Sequence, residues 1–176
     1  LTIASNYPNK NIDIIPPVIN YLKNNYPKFK FRFVLTIKEN EFPSKNKYKD
    51  YIIYLGKVQI NQCPTLYKQS DFMFLPTLLE SFSASYPEAM KMSVPILTSN
   101  LFFARNICGN AAKYFDPMSP KSIALAIYEL SKNFTKRMEL IENGKKRLNH
   151  FETPKSRANK YIEIIKHIYE TTHTKS

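Results

Sequence analysis

Short apolar runs alternate with helical patterns along the whole chain, and this alternation limits the fold more than any other feature of the sequence. Residues 1–5, 31–37, 51–58, 71–76, 94–98 and 113–115 are strand-sized runs. The run at 31–37 is apolar almost continuously, as a strand covered on both faces must be. Between them, residues 16–25, 64–69, 84–92 and 103–107 read as helices or helical turns. The first has proline in its first turn, where a missing N–H costs little, and the last ends at Gly109, a C′ glycine. Residues 38–50 form a polar loop, Ser119 opens a helix through Leu130, and residues 134–171 read as two amphipathic helices parted at Thr153-Pro154. Such alternation predicts an α/β, Rossmann-like, doubly wound parallel sheet with helices on both faces. Ligands of such sheets lie at the carboxyl ends of the strands, near the topological switch point. The loops that follow strands are therefore where chemistry is expected.

Composition narrows the classes. With 176 residues, 43% of them hydrophobic, the chain can bury the core of one domain, residues 1–176, in which 134–176 are terminal helices. No apolar run approaches the roughly 20 residues that a membrane span needs. Three glycines in the whole chain exclude a Gly-rich phosphate loop. Cys63 and Cys108 stand apart without a CxxC partner, and His150, His167 and His173 all lie in the C-terminal quarter, so neither a zinc site nor a disulfide framework is legible. A reducing cytoplasm is the default expectation. The chain opens at Leu1 without a signal-peptide pattern, and a piece of something longer is expected. The net charge of +12 invites a polyanion partner, yet the lysines are scattered and only five of the 26 basic residues are arginine, the better reader of bases and phosphates. No nucleic acid partner is expected.

The loop after the run at 71–76 carries the strongest chemical signal. It reads Thr77-Leu78-Leu79-Glu80-Ser81-Phe82-Ser83-Ala84-Ser85-Tyr86-Pro87-Glu88 and leads into a helix. Ser83 is an N-cap candidate, and successive amides from Ser81 through Phe82, Ser83 and Ala84 to Ser85 would face an anion at the helix start. Glu80 precedes that anion site and Glu88 lies one turn inside the helix. Two carboxylates flanking a phosphate site can accept hydrogen bonds from hydroxyls on either side of it, and a diphosphate with hydroxylated rings on both sides is a nucleotide-sugar. By spacing alone, a solvent-facing helix glutamate and an ordinary loop carboxylate remain open readings.

The surroundings are more specific. Leu75-Pro76-Thr77, Glu80-Ser81-Phe82-Ser83, Glu88-Ala89-Met90 and Val94-Pro95-Ile96 together resemble the donor-site segment of family 4 retaining glycosyltransferases, the "group 1" family of the GT-B fold. Leu55-Gly56-Lys57-Val58, Leu66-Tyr67 and Ser70-Asp71 resemble that family's approach to the segment, and Cys108-Gly109-Asn110-Ala111-Ala112 with Tyr114-Phe115-Asp116-Pro117 its next recurring stretch. Asn9-Lys10-Asn11-Ile12-Asp13 is similar to its first loop. The resemblance runs in order from residue 1 to residue 130.

The resemblance implies one half of a GT-B fold, the domain that binds a nucleoside-diphosphate sugar, with the N-terminal acceptor-binding domain absent from this chain. Alone, such a domain is expected to bind donor without transferring it. Glu80 falls on the position that contacts the donor sugar and is treated as catalytic, and Lys10 on a lysine that neutralises the diphosphate, without a required metal or other cofactor. Glu88 falls on the position that holds the ribose, the Ser81–Ser85 amides on the diphosphate cradle, and Gly56, Lys57 and Val58 on the wall that meets the base. The family's retained-configuration hexose transfer to a saccharide or lipid-linked acceptor implies bacterial surface polysaccharide assembly in the cytoplasm, with peripheral contact at the inner membrane face. Ser5 stands where the family has an arginine, and Ala4, Ser81, Ser83 and Ser93 where it has glycines. These departures leave two alternatives: another GT-B sugar-nucleotide enzyme such as an epimerase, or a degenerate, non-catalytic Rossmann module. Among the other residues, Phe82 reads as packed under the loop, Lys57 as solvent-facing, Arg105 as part of a helical turn near the donor-site strands without ligand contact, and the three histidines as surface residues.

Overall fold

A computed structural model describes residues 1–42 and 47–173; within the polar loop expected at 38–50, residues 43–46 therefore lie outside the described residues. The strands are β1 (Phe33–Leu35), β2 (Ile52–Tyr54), β3 (Met73–Leu75), β4 (Ile96–Ser99) and β5 (Ala112–Phe115), all paired in parallel. The helices are α1 (Ile15–Asn25), α2 (Cys63–Lys68), α3 (Ser85–Lys91), α4 (Phe102–Cys108), α5 (Pro120–Lys132), α6 (Phe134–Leu148) and α7 (Pro154–His173).

The ladders form two groups, β1-β2 and β3-β4-β5. The first residues of the chain run between them. Thr2 bridges Leu35 in parallel and donates its amide to Val34 at 2.8 Å, while Leu1 accepts from the Phe74 amide at 2.8 Å. The expected first strand at 1–5 is thus reduced to a bridge at Thr2, but it sits where a first strand belongs. Counting it as one, the sheet runs in the order 3-2-1-4-5-6, that of a dinucleotide-binding fold, with its switch point between the first residues and β3.

Side-chain alternation explains how one sheet serves two cores. Phe74, Leu97 and Phe115 face the cluster built on α1 and α5, whereas Met73, Leu75 and Ile96 face the one built on α3 and α4. On α1, Ile15, Val18, Ile19 and Leu22 recur at helical spacing and are wholly buried; Ile123, Ile127 and Leu130 recur likewise on α5 and are buried. Ser119 caps α5 by accepting from the Ser122 amide at 3.1 Å. The ladders are shorter than the apolar runs predict. Phe31 and Ile37 flank β1 and pack in the first core; the Ile37 carbonyl still accepts from the Gly56 amide at 3.1 Å, but the regular register ends at Leu35 and Tyr54. α7 presents exposed side chains along its length, including Ile162, Ile164, Ile165 and Ile168. No helix among the described residues is long and apolar enough to cross a membrane.

Candidate functional site

Two loops leave the switch point side by side, one after the first residues and one after β3, and hydrogen bonds staple them together. The Leu78 amide donates to the Asn9 carbonyl at 2.7 Å, and the fully buried Thr77 hydroxyl donates to the same oxygen at 2.9 Å. Asn9 returns a bond from Nδ2 to the Leu79 carbonyl at 2.9 Å. Asn11 sits in the left-handed region (φ 53°), which asparagine tolerates, and its Nδ2 donates to the carbonyls of Pro76 at 3.2 Å and Pro117 at 2.9 Å. The loops after the first residues, β3 and β5 are thereby tied at one end of the sheet.

This stapling brings Lys10 and Glu80, 70 residues apart, into an ion pair between Nζ and Oε1. Their side chains are only 19% and 11% exposed, so the pair is much less screened than a surface one. Beyond Glu80, no acceptor among the described residues meets the amides of Ser81, Phe82, Ser83, Ala84 or Ser85. α3 is two turns long, so its dipole is small, and what the loop offers an anion is this run of free N–H groups. The expected N-cap role of Ser83 is not found. Ala84 is the N-cap and no side chain caps the helix; Ser83 is buried and contributes its carbonyl, which accepts from the Tyr86 amide at 3.3 Å.

Glu88 lies on the first turn of α3 and is exposed. Its Oε2 accepts from the Tyr67 hydroxyl at 2.9 Å. Burial first, and then the Glu88 charge, push the Tyr67 hydroxyl well above its ordinary pKa, so it remains a donor. Beneath the loop, the Tyr86 and Thr98 hydroxyls meet at 2.8 Å, and Thr98 donates to the Leu75 carbonyl at 3.0 Å, which secures α3 against β3 and β4.

Ser5 is exposed and its carbonyl accepts from the Tyr7 amide, so no side-chain charge stands at that position. Gly56 follows β2 at the same carboxyl end of the parallel strands, with φ 67°, a conformation that favours glycine. Lys57 is exposed and Val58 half-buried, and no hydrogen bond among the described residues joins 56–58 to the Lys10–Glu80 pair. Phe82 does not pack under the loop. It is 50% exposed and meets Phe151 edge-on at 6.2 Å. Arg105 is exposed, held over the Tyr114 ring at 4.6 Å and bonded to Asn100. His150 and His167 are exposed, and the His173 side chain lies outside the described residues. Cys63 and Cys108 are free thiols, and no cluster of three metal-ligating side chains occurs among the described residues. Asn9, Asn11, Tyr67 and Thr77 were not read as site residues from the sequence; the only hint was the place of Asn9, Asn11, Tyr67 and Thr77 inside the quoted motifs.

The family description "Glycosyl transferases group 1" matches residues 1–147. No curated protein matches the chain. Among solved structures, a sucrose-phosphate synthase from Thermosynechococcus elongatus superposes with TM-score 0.77 at 13% identity, over 97% of this chain and 45% of that one. A glycosyltransferase from Rickettsia africae ESF-5 gives 0.77 at 16%, over 96% and 47%. An alpha,alpha-trehalose-phosphate synthase (UDP-forming) from Burkholderia vietnamiensis gives 0.72 at 14%, over 85% and 40%. At these identities the likeness speaks for the fold, and the chain spans less than half the length of each structure.

Proposed function

Because the chain belongs to the glycosyl transferases group 1 family, we propose that it is the donor-binding domain of a glycosyltransferase, acting with an N-terminal acceptor-binding domain outside this chain. In this reading the enzyme moves a hexose, with retention, from a nucleoside-diphosphate sugar to a saccharide or lipid-linked acceptor. Its setting is bacterial surface polysaccharide assembly in the cytoplasm, at the inner face of the membrane.

The observation that carries this reading is the half-buried Lys10–Glu80 pair at the switch point, set beside a run of free amides. A fixed cation next to unpaired N–H groups suits a diphosphate, and a carboxylate beside them suits the hydroxyls of the sugar it bears. In transfer, the bond between the sugar's anomeric carbon and the diphosphate oxygen breaks and its electron pair leaves with the diphosphate. The acceptor oxygen bonds to that carbon, and its proton goes to the departing phosphate oxygen, which retention places on the same face. Lys10 and the loop amides meet the charge that grows on the leaving group, with no metal ion assigned to that task. Glu88 takes the ribose, and Gly56, Lys57 and Val58 form the wall beside the base.

Titration of the protein with UDP, GDP, ADP and dTDP, followed by amide chemical shifts, tests the reading. It predicts saturable shifts at residues 80–88 with one base preferred, weakened in Glu88→Ala. Flat responses to all four nucleotides would overturn donor binding by this chain and leave the degenerate module.

A further inference from the structure

Glu88 is exposed, and a free glutamate would sample several rotamers, yet it is held. What holds it is Tyr67, a residue 1% exposed whose ring belongs to the core shared by Met73, Tyr86 and Ala89. A phenylalanine would fill that core equally well. The hydroxyl adds a polar tip that must find a partner when buried, and it emerges 2.9 Å from Glu88 Oε2 and 3.5 Å from the Ser85 carbonyl, both on the first turn of α3. The α2 tyrosine thus anchors one carboxylate oxygen, and among the described residues no hydrogen-bond donor meets the other.

We infer that Tyr67 is a positioning residue for nucleoside recognition: by fixing Glu88 Oε2 it sets the carboxylate to accept from the vicinal diol of a ribose. This rests on the reading of Glu88 given above. A carboxylate with one oxygen tethered meets two adjacent hydroxyls at a defined angle, so the rotamer entropy is lost on folding rather than on binding. The consequence is selectivity for ribose over deoxyribose that depends on a residue with no need to touch the ligand.

The experiment compares the affinity of UDP with that of 2′,3′-dideoxy-UDP (or the corresponding pair for whichever base binds) in wild type, Tyr67→Phe, Glu88→Ala and the double variant. We expect Tyr67→Phe to weaken the ribonucleotide on the order of tenfold, as loss of one hydrogen bond to a charged group does, and to leave the dideoxynucleotide within about twofold. The double variant should bind no more weakly than Glu88→Ala. An equal loss for both ligands, or no loss for either, overturns the role of Tyr67. If Glu88→Ala itself fails to distinguish the two ligands, the ribose reading of Glu88 falls and this inference with it, a pattern separate from failure of Tyr67 alone. Circular dichroism and the melting temperature of Tyr67→Phe, both expected close to wild type because phenylalanine fills the same buried space, ensure that the loss is read on folded protein, and the unchanged dideoxynucleotide affinity serves as the internal control.

Discussion

Lys10 and Glu80 satisfy each other across two loops, so a diphosphate that takes the Lys10 ammonium competes with a carboxylate for it. Removing the competitor should therefore separate binding from chemistry. Glu80→Gln is expected to tighten a nucleoside diphosphate by about fivefold, roughly the 1 kcal/mol that a well-placed ion pair contributes, while abolishing most transfer in the whole enzyme; calorimetric titration checks the first half. Unchanged or weaker binding would mean that Lys10 does not meet the diphosphate. A second residue-scale prediction concerns the family's glycine positions. Of Ala4, Ser81, Ser83 and Ser93, only Ser93 adopts a positive φ, at 57°. A left-handed serine stores strain that a glycine does not, so Ser93→Gly should raise stability by about 1 kcal/mol, read from the urea midpoint. The other three positions carry no such strain, so their substitutions bear on how closely a ligand approaches the backbone rather than on folding.

At the scale of elements, α3 is held from both sides, by the sheet through Tyr86 and by α6 through Gly144. A Cβ at Gly144 would lie 3.2 Å from Met90 Cγ, so α6 passes close to α3 because that residue has no side chain. Gly144→Ala should be near neutral, since better helix propensity offsets a small shift of a flexible methionine. Gly144→Leu should lower stability by about 1–3 kcal/mol through overpacking, measured by thermal unfolding. The order and type of the elements were legible beforehand because apolar periodicity reports which faces must be covered, and α1 and α5 show this directly. Strand lengths were not, because Phe31 and Ile37 are apolar for packing while the ladder beside them ends. The helix start differs from the cap expected at Ser83 for a related reason. A serine before a helix is a cap only if its hydroxyl reaches a free amide, and here its carbonyl takes that role. Glu80, Lys10 and Glu88 could be named through resemblance, whereas the Asn9, Asn11 and Thr77 staples depend on loop pairing across about 70 residues, which no local pattern encodes.

For the whole molecule, the site and both cores are complete before α7 begins. Phe151 still packs against the α3 core, and Arg147 on α6 donates to the Ile107 and Asn106 carbonyls at the end of α4. Past that point the described side chains of α7 are exposed, with Tyr161, Ile164, Ile165 and Ile168 along one helical face. Tolerance of truncation follows burial rather than position in the chain. A chain ending at residue 153 should therefore melt within a few degrees of the full one and keep its nucleotide affinity within about twofold, with less self-association because an apolar face has been removed. A chain ending at residue 133 loses Leu140, the Gly144 contact and the Arg147 bonds, and should unfold at markedly lower temperature. Calorimetric melting and sedimentation of the two truncations decide the matter. If the chain ending at 153 loses nucleotide affinity, then α7 acts on the donor site by a route that its exposed side chains do not account for.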